Sequence, residues 1–90
     1  MRGSYMIRLA ECPLGFDNFQ FVAHNRLGVS MVSPCLDGFI AGHRQLTKWI
    51  VAGKIGLGDF AYAMAELWRR ELDRQVEMLL GVEPEADEPV

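Results

Sequence analysis

Four side chains of this sequence have the chemistry of soft metal ligands: Cys12, His24, Cys35 and His43. They are separated by 11, 10 and 7 residues, and zinc sites normally use closely spaced pairs that are missing here. A Cys–His nucleophile pair would also need a third, orienting group, and no pattern around Cys35 supplies one. The sequence therefore predicts no metal site, no cofactor and no catalytic residue. We interpret the cysteines as buried thiols of a reducing compartment, and a Cys12–Cys35 disulfide is the less favoured alternative.

Two glycines precede the strongest helical pattern of the chain, at Gly56 and Gly58, and such a turn can bind phosphate at a helix N-terminus. Asp59 follows at once, and its carboxylate would occupy the positive end of the helix dipole and repel a second anion. We therefore interpret the glycines as permitting a tight corner, with Asp59 as the N-cap.

A cluster of three arginines lies further along the same helix, at Arg69, Arg70 and Arg74. Acidic residues surround it, and the pairs Glu66–Arg70 and Arg69–Asp73 have the four-residue spacing of helix ion pairs. This pattern predicts a solvated, internally paired face and not a nucleic-acid contact.

The 90 residues are half hydrophobic, enough for one small domain with a core. The net charge of −3 arises in the last nine residues, which contain four carboxylates and no base, whereas residues 1–81 have nine Lys and Arg against eight Asp and Glu. We expect one domain over residues 1–81 and a disordered acidic tail over 82–90. A near-neutral body without a long apolar run predicts a cytoplasmic protein that binds neither nucleic acid directly nor a membrane.

Hydrophobic periodicity predicts the secondary structure. Alternating residues predict strands over 5–12, 19–25 and 29–33 and a short edge strand over 39–42, with a hairpin turn over 25–28. Three- and four-residue spacing predicts helices over 43–53 and 59–80, the second ending at Gly81. The expected fold is α+β, an antiparallel three- to four-stranded sheet with two helices packed on one face, in the order ββββαα.

If helices cover one face of that sheet, the other faces solvent. We expect the core face to carry seven residues: Tyr5, Ile7, Leu9, Phe19, Phe21, Val29 and Met31. The opposite face is mixed and lacks a general acid–base pair, which suits recognition of another protein. The predicted partner-binding residues are Arg8, Gln20, His24, Arg26 and Ser30.

The second half of the sequence resembles a family of small phage-encoded type I-F anti-CRISPR proteins. The resemblance covers residues 45–71 and consists of Gln45-Leu46-x-x-Trp49, Gly56-Leu57-Gly58, Ala63-Met64-x-Glu66 and Arg69-Arg70-Glu71. It implies a four-stranded antiparallel sheet with two helices, and binding to the backbone subunits of an RNA-guided surveillance complex. That family contacts its partner chiefly through tyrosines and a glutamate of the sheet. Near the corresponding places this chain has His24 or Asn25 and Ser33 or Pro34, none of which is a tyrosine or a glutamate. No contact residue is therefore carried over.

Two hypotheses follow for the function. The first is a non-enzymatic, phage-encoded anti-CRISPR inhibitor that acts in the bacterial cytoplasm, binds subunits of the CRISPR surveillance complex and blocks target DNA. The alternative is a small self-associating regulatory or assembly module, antitoxin-like, that forms a homodimer through the Trp68–Leu79 stripe of the long helix. The oligomeric state discriminates between the two.

Overall fold

The computed structural model describes residues 5–13 and 17–81, in which three strands precede two helices. The strands are β1 (Met6–Glu11), β2 (Phe19–His24) and β3 (Ser30–Val32), and the helices are α1 (Phe39–Val51) and α2 (Leu57–Leu80). Both outer strands pair antiparallel with the central β2. The predicted α+β class is confirmed. The acidic tail, residues 82–90, lies outside the described residues, and its disorder stays a prediction.

The turn between β2 and β3 forms where the sequence predicts it. The Asn25 side-chain oxygen accepts hydrogen bonds from the amides of Leu27 and Val29, both at 3.0 Å, and Gly28 takes a positive φ of 87°. Because Val29 belongs to this turn, it lies outside β3 and is 48% exposed. The expectation that Val29 faces the core was therefore wrong.

The predicted fourth strand does not form, since residues 39–42 make up the first turn of α1. A pattern of four residues is too short to separate a strand from a buried helical turn. Gly42 shows why the helix begins early: it is buried against Leu67 and Phe19, closer than a larger residue could approach. Beyond β3 the chain returns to β2 at one isolated bridge, between Leu36 and Phe19.

The core draws on the sheet and on both helices. Its side chains come from alternate positions of β1 and β2, from the inner sides of α1 and α2, and from the connection between the helices: Ile7, Phe19, Phe21, Ala23, Leu46, Trp49, Ile55, Ala63 and Leu67. Phe19 and Phe21 pack edge to face at 5.7 Å between ring centroids. The alternation in β1 and β2 is thus confirmed as the origin of the buried sheet face.

Cys12 and Cys35 form a disulfide, which corrects the interpretation of both as free thiols. Cys12 follows β1 and is buried, whereas Cys35 is exposed in the segment after β3. The antiparallel sheet brings these segments together from 23 residues apart, with the Cα atoms at 6.1 Å, within the range that a disulfide spans.

The long helix α2 begins two residues earlier than predicted, with Gly56 as N-cap and Asp59 in its first turn. It ends at Gly81 in the left-handed conformation, φ 62°, as the sequence predicts. The apolar residues of α2 do not share one environment. Ala63 and Leu67 are in the core, whereas Trp68 and the large apolar residues that follow it are exposed.

Candidate protein-binding surface

The sheet face opposite the core presents short rows of side chains, set by the register of the strands. Directly paired residues of antiparallel strands lie side by side on one face. One row crosses all three strands at Met6, His24 and Ser30, and the next at Arg8, Val22 and Val32. These rows combine polar and apolar groups within one surface.

The structure brings together most of the predicted contact residues. Arg8, His24 and Ser30 are exposed on this face. Gln20 shares the face but is half-buried, and its amide nitrogen donates a hydrogen bond of 2.9 Å to the Ser33 carbonyl. Arg26 is exposed in the turn at the end of the face, beyond the strands. The alternation pattern therefore placed four of the five on one side of the sheet.

The outward positions of the three strands carry a cation and no carboxylate. They are Met6, Arg8, Ala10, Gln20, Val22, His24, Ser30 and Val32. Met6 and Val32 are among the exposed large hydrophobic residues of the protein. Exposed apolar groups among uncharged polar ones and a single arginine are typical of a surface that recognises a protein.

Ser33 organises the edge of this surface, and sequence reasoning missed its role. Its hydroxyl is buried, accepts the Phe21 amide at 2.9 Å and donates to the Pro34 carbonyl at 2.8 Å. The Ser33 carbonyl accepts the Gln20 side-chain amide, so the Ser33 hydroxyl is the acceptor for the Phe21 amide, a buried donor that would otherwise lack a partner. No local pattern in the sequence signals this role, because it depends on Gln20 of the neighbouring strand.

The arginines of α2 are used differently from the predicted ion-pair ladder. The Arg70 guanidinium lies 4.2 Å from the centroid of the Phe19 ring and donates to the Asp17 carbonyl, so it connects α2 to the start of β2 and to Asp17 just before it. Arg74 pairs with Glu71 at 3.5 Å. The hydrogen bond from Gln75, with help from Arg74, lowers the pKa of the Glu71 carboxyl below its usual range. Both side chains are half-buried, and a single long contact between neighbours on one helix contributes little to stability.

Two open depressions lie away from the sheet face. One, of about 420 Å³, is on the outer side of α1 and is lined by Ile40, His43, Arg44, Thr47, Lys48 and Val51. The Thr47 hydroxyl in this depression donates a hydrogen bond to the backbone carbonyl of His43 at 2.8 Å. The hydroxyl is therefore not bonded to the His43 imidazole, the contact that would activate it as a nucleophile. The other, of about 280 Å³, lies between Leu9 and the polar face of α2. Across residues 5–13 and 17–81, no three His, Cys, Asp or Glu side chains are grouped to hold a metal ion.

Within the part of the chain that the structure describes, no helix is both long and apolar enough to cross a membrane. Comparison of the chain with protein-family models, with curated proteins and with solved structures found no match. The basis for a functional assignment is therefore the sheet surface together with the resemblance over residues 45–71.

Proposed function

We propose that this protein is a non-enzymatic inhibitor of the type I-F anti-CRISPR kind, which binds subunits of a bacterial CRISPR surveillance complex and prevents target DNA from pairing with the guide. The observation that carries the proposal is the exposed sheet face, where Arg8, His24 and Ser30 stand together beside exposed apolar groups. In such a complex the guide RNA reads the target by base pairing, and the protein subunits hold the guide in place. The inhibitor occupies a groove of these subunits and thereby prevents the pairing.

The architecture supports this proposal. The order of a sheet followed by two helices is the order that the resemblance implies, with three strands in place of four. Trp49 is buried in the core and Gly56 caps α2, so these two positions of the resemblance have structural roles here. In this proposal both helices cover the core face, which leaves the opposite face free for the partner. The protein acts in the cytoplasm of the bacterial host and contacts no nucleic acid directly.

The test of the function is co-elution of the purified protein with a type I-F surveillance complex, followed by measurement of target DNA binding. We expect one complex that no longer binds target DNA. Separate elution with DNA binding intact would overturn the inhibitor assignment.

The test of the surface is the double variant His24→Ala/Arg26→Ala. Both side chains are exposed, so we expect the domain to stay folded while the Kd for the surveillance complex rises about tenfold, equivalent to ~1.4 kcal/mol. The matched control is His43→Ala/Arg44→Ala, which removes the same two residue types from exposed positions of α1. Unchanged affinity of the first variant, or equal loss in both, would remove the sheet face from the proposal.

The alternative of a self-associating regulatory module is favoured by one observation, the exposure of Trp68, Leu72, Val76 and Leu79 on α2. Self-association does not by itself supply a regulatory activity, and it is compatible with inhibition through the sheet. We therefore retain the inhibitor as the function.

A further inference from the structure

Helix α2 carries a second apolar stripe, separate from the one in the core. Its members are exposed and recur at steps of three and four residues: Ala61, Ala65, Trp68, Leu72, Val76 and Leu79. At 100° per residue these positions fall within one quarter of the helix surface, on the side away from the buried Ala63 and Leu67. None of the six is charged. We call this set the α2 seam.

The α2 seam extends well beyond the rest of the domain. From Leu72 to Leu80 every residue of α2 except Arg74 is exposed, so this half of the helix has few contacts with the rest of the domain. The Phe39 ring meets the edge of Trp68 at 5.5 Å, and Arg70 reaches Phe19. Beyond these contacts, Leu72 is 45% exposed and Leu79 is 82% exposed. A long, uncharged row of side chains is therefore left in water.

We propose that the α2 seam is a homodimer interface, in which two copies of α2 pack antiparallel about a two-fold axis near Arg70. The occupant is a second copy because the spacing follows the heptad of a coiled coil, with Ala65, Leu72 and Leu79 in one position and Ala61, Trp68 and Gln75 in the other, and with Val76 directly after Gln75. A two-fold interface uses the same patch on both copies, and one continuous patch is present.

The distribution of side-chain size selects the antiparallel orientation. The small residues Ala61 and Ala65 lie at one end of the seam and Leu79 at the other. In the antiparallel pair, Leu79 of one copy meets Ala61 of the second, Gln75 meets Ala65 and Trp68 meets Leu72, so that each alanine faces a larger residue. A parallel pair would place Trp68 against Trp68 and leave a void between the alanines. Opposed helix dipoles also favour the antiparallel pair.

Charged residues flank one edge of the seam. With the two-fold axis near Arg70, Arg69 of one copy lies at a similar height to both Arg69 and Asp73 of the other, so a repulsion and an attraction offset each other. We therefore expect the stability of the dimer to depend little on salt.

The first experiment is sedimentation equilibrium of the purified chain from micromolar to near-millimolar concentration. The seam covers fewer than three heptads, so we expect a reversible dimer with a Kd on the order of micromolar. A chain that stays monomeric at near-millimolar concentration would overturn the proposal.

The second experiment compares two neighbouring substitutions of the same chemistry. Leu79→Glu places a charge in the seam and should raise the dimer Kd by more than about tenfold. Leu80→Glu is the matched control, because Leu80 is also an exposed leucine at the end of α2 but points about 100° away from Leu79. Equal dissociation by both variants would place the interface elsewhere. Leu72→Glu should behave like Leu79→Glu, and circular dichroism checks that each variant remains folded.

The orientation is tested by cysteine cross-linking without reductant, where Cys12 and Cys35 remain bonded to each other. A mixture of an Ala61→Cys variant and a Leu79→Cys variant should give mixed dimers under mild oxidation. Cross-links confined to each variant alone would contradict the antiparallel arrangement. The dimer is independent of the inhibitor proposal, since Leu79→Glu leaves the sheet surface unaltered and its binding to a surveillance complex can be measured separately.

Discussion

Among single residues, Asp59 joins the start of α2 to the residue that precedes β1. Its carboxylate is 8% exposed and accepts the Gly56 amide at 3.1 Å and the Tyr5 amide at 3.1 Å. The first bond satisfies a donor at the start of α2, and the second holds the residue before β1 against that helix. Hydrogen bonds from backbone amides to a carboxylate are shorter and stronger than hydrogen bonds between neutral groups.

We predict that Asp59→Ala lowers the free energy of unfolding by about 2 kcal/mol, because two charge-assisted hydrogen bonds are lost and their donors are left at a partly buried site. Urea denaturation followed by circular dichroism measures the change. Asp73→Ala is the control, since Asp73 is exposed on the same helix and should change the stability by less than ~0.5 kcal/mol. A similar loss in both variants would show that the effect comes from helix charge.

Between elements, α1 and α2 pack closely at Gly42, which has no side chain to hold the two helices apart. A β-carbon at Gly42 would lie 2.7 Å from Leu67 Cδ1 and 3.2 Å from Phe19 Cζ. Both neighbours are almost fully buried, so neither can move away freely. Gly42 therefore sets the distance between the two helices.

We predict that Gly42→Ala destabilises the domain by about 1 kcal/mol. Overpacking costs roughly 1–3 kcal/mol, and the better helix propensity of alanine returns about 1 kcal/mol. Gly58→Ala is the opposite case, since Gly58 is exposed within α2 with no atom near its missing β-carbon, and it should stabilise by up to about 1 kcal/mol. Thermal unfolding of the two variants should show midpoints shifted in opposite directions, and a stabilised Gly42→Ala would contradict the packing argument.

At the scale of the whole molecule, the disulfide closes a loop that contains β2 and β3. A small domain buries a limited fraction of its surface, so restriction of the unfolded chain is a large contribution to its stability. Disulfides persist in oxidising compartments, whereas the proposed site of action is a bacterial cytoplasm. The disulfide is compatible with action in the cytoplasm if the domain remains folded after the bond is reduced.

We predict that Cys12→Ala/Cys35→Ala lowers the free energy of unfolding by about 3 kcal/mol, the loop-closure value for a separation of 23 residues, while the fold is retained. Denaturation of the unaltered chain with and without reductant should reproduce the same difference. Identical midpoints in both conditions would show that the bond adds no stability.

Features with local causes could be predicted from the amino-acid sequence alone. Asn25 and Gly28 specify their turn, Gly81 ends α2, and the two-residue alternation of β1 and β2 sets which side chains are buried. The same alternation put Arg8, Gln20, His24 and Ser30 on one side of the sheet, the basis of the candidate surface.

Features that depend on contacts between distant segments became visible in the folded chain and not before. Gly42 is helical because Leu67 packs against it, Cys12 meets Cys35 because the sheet brings their segments together, and Asp59 is buried because the residue before β1 reaches it. The apolar residues of α2 recur at helical spacing on more than one side of the helix, and the sheet and α1 cover only the side nearest to them. A helical repeat records which residues lie on the same side of a helix, but whether that side meets the core or water depends on where the helix packs.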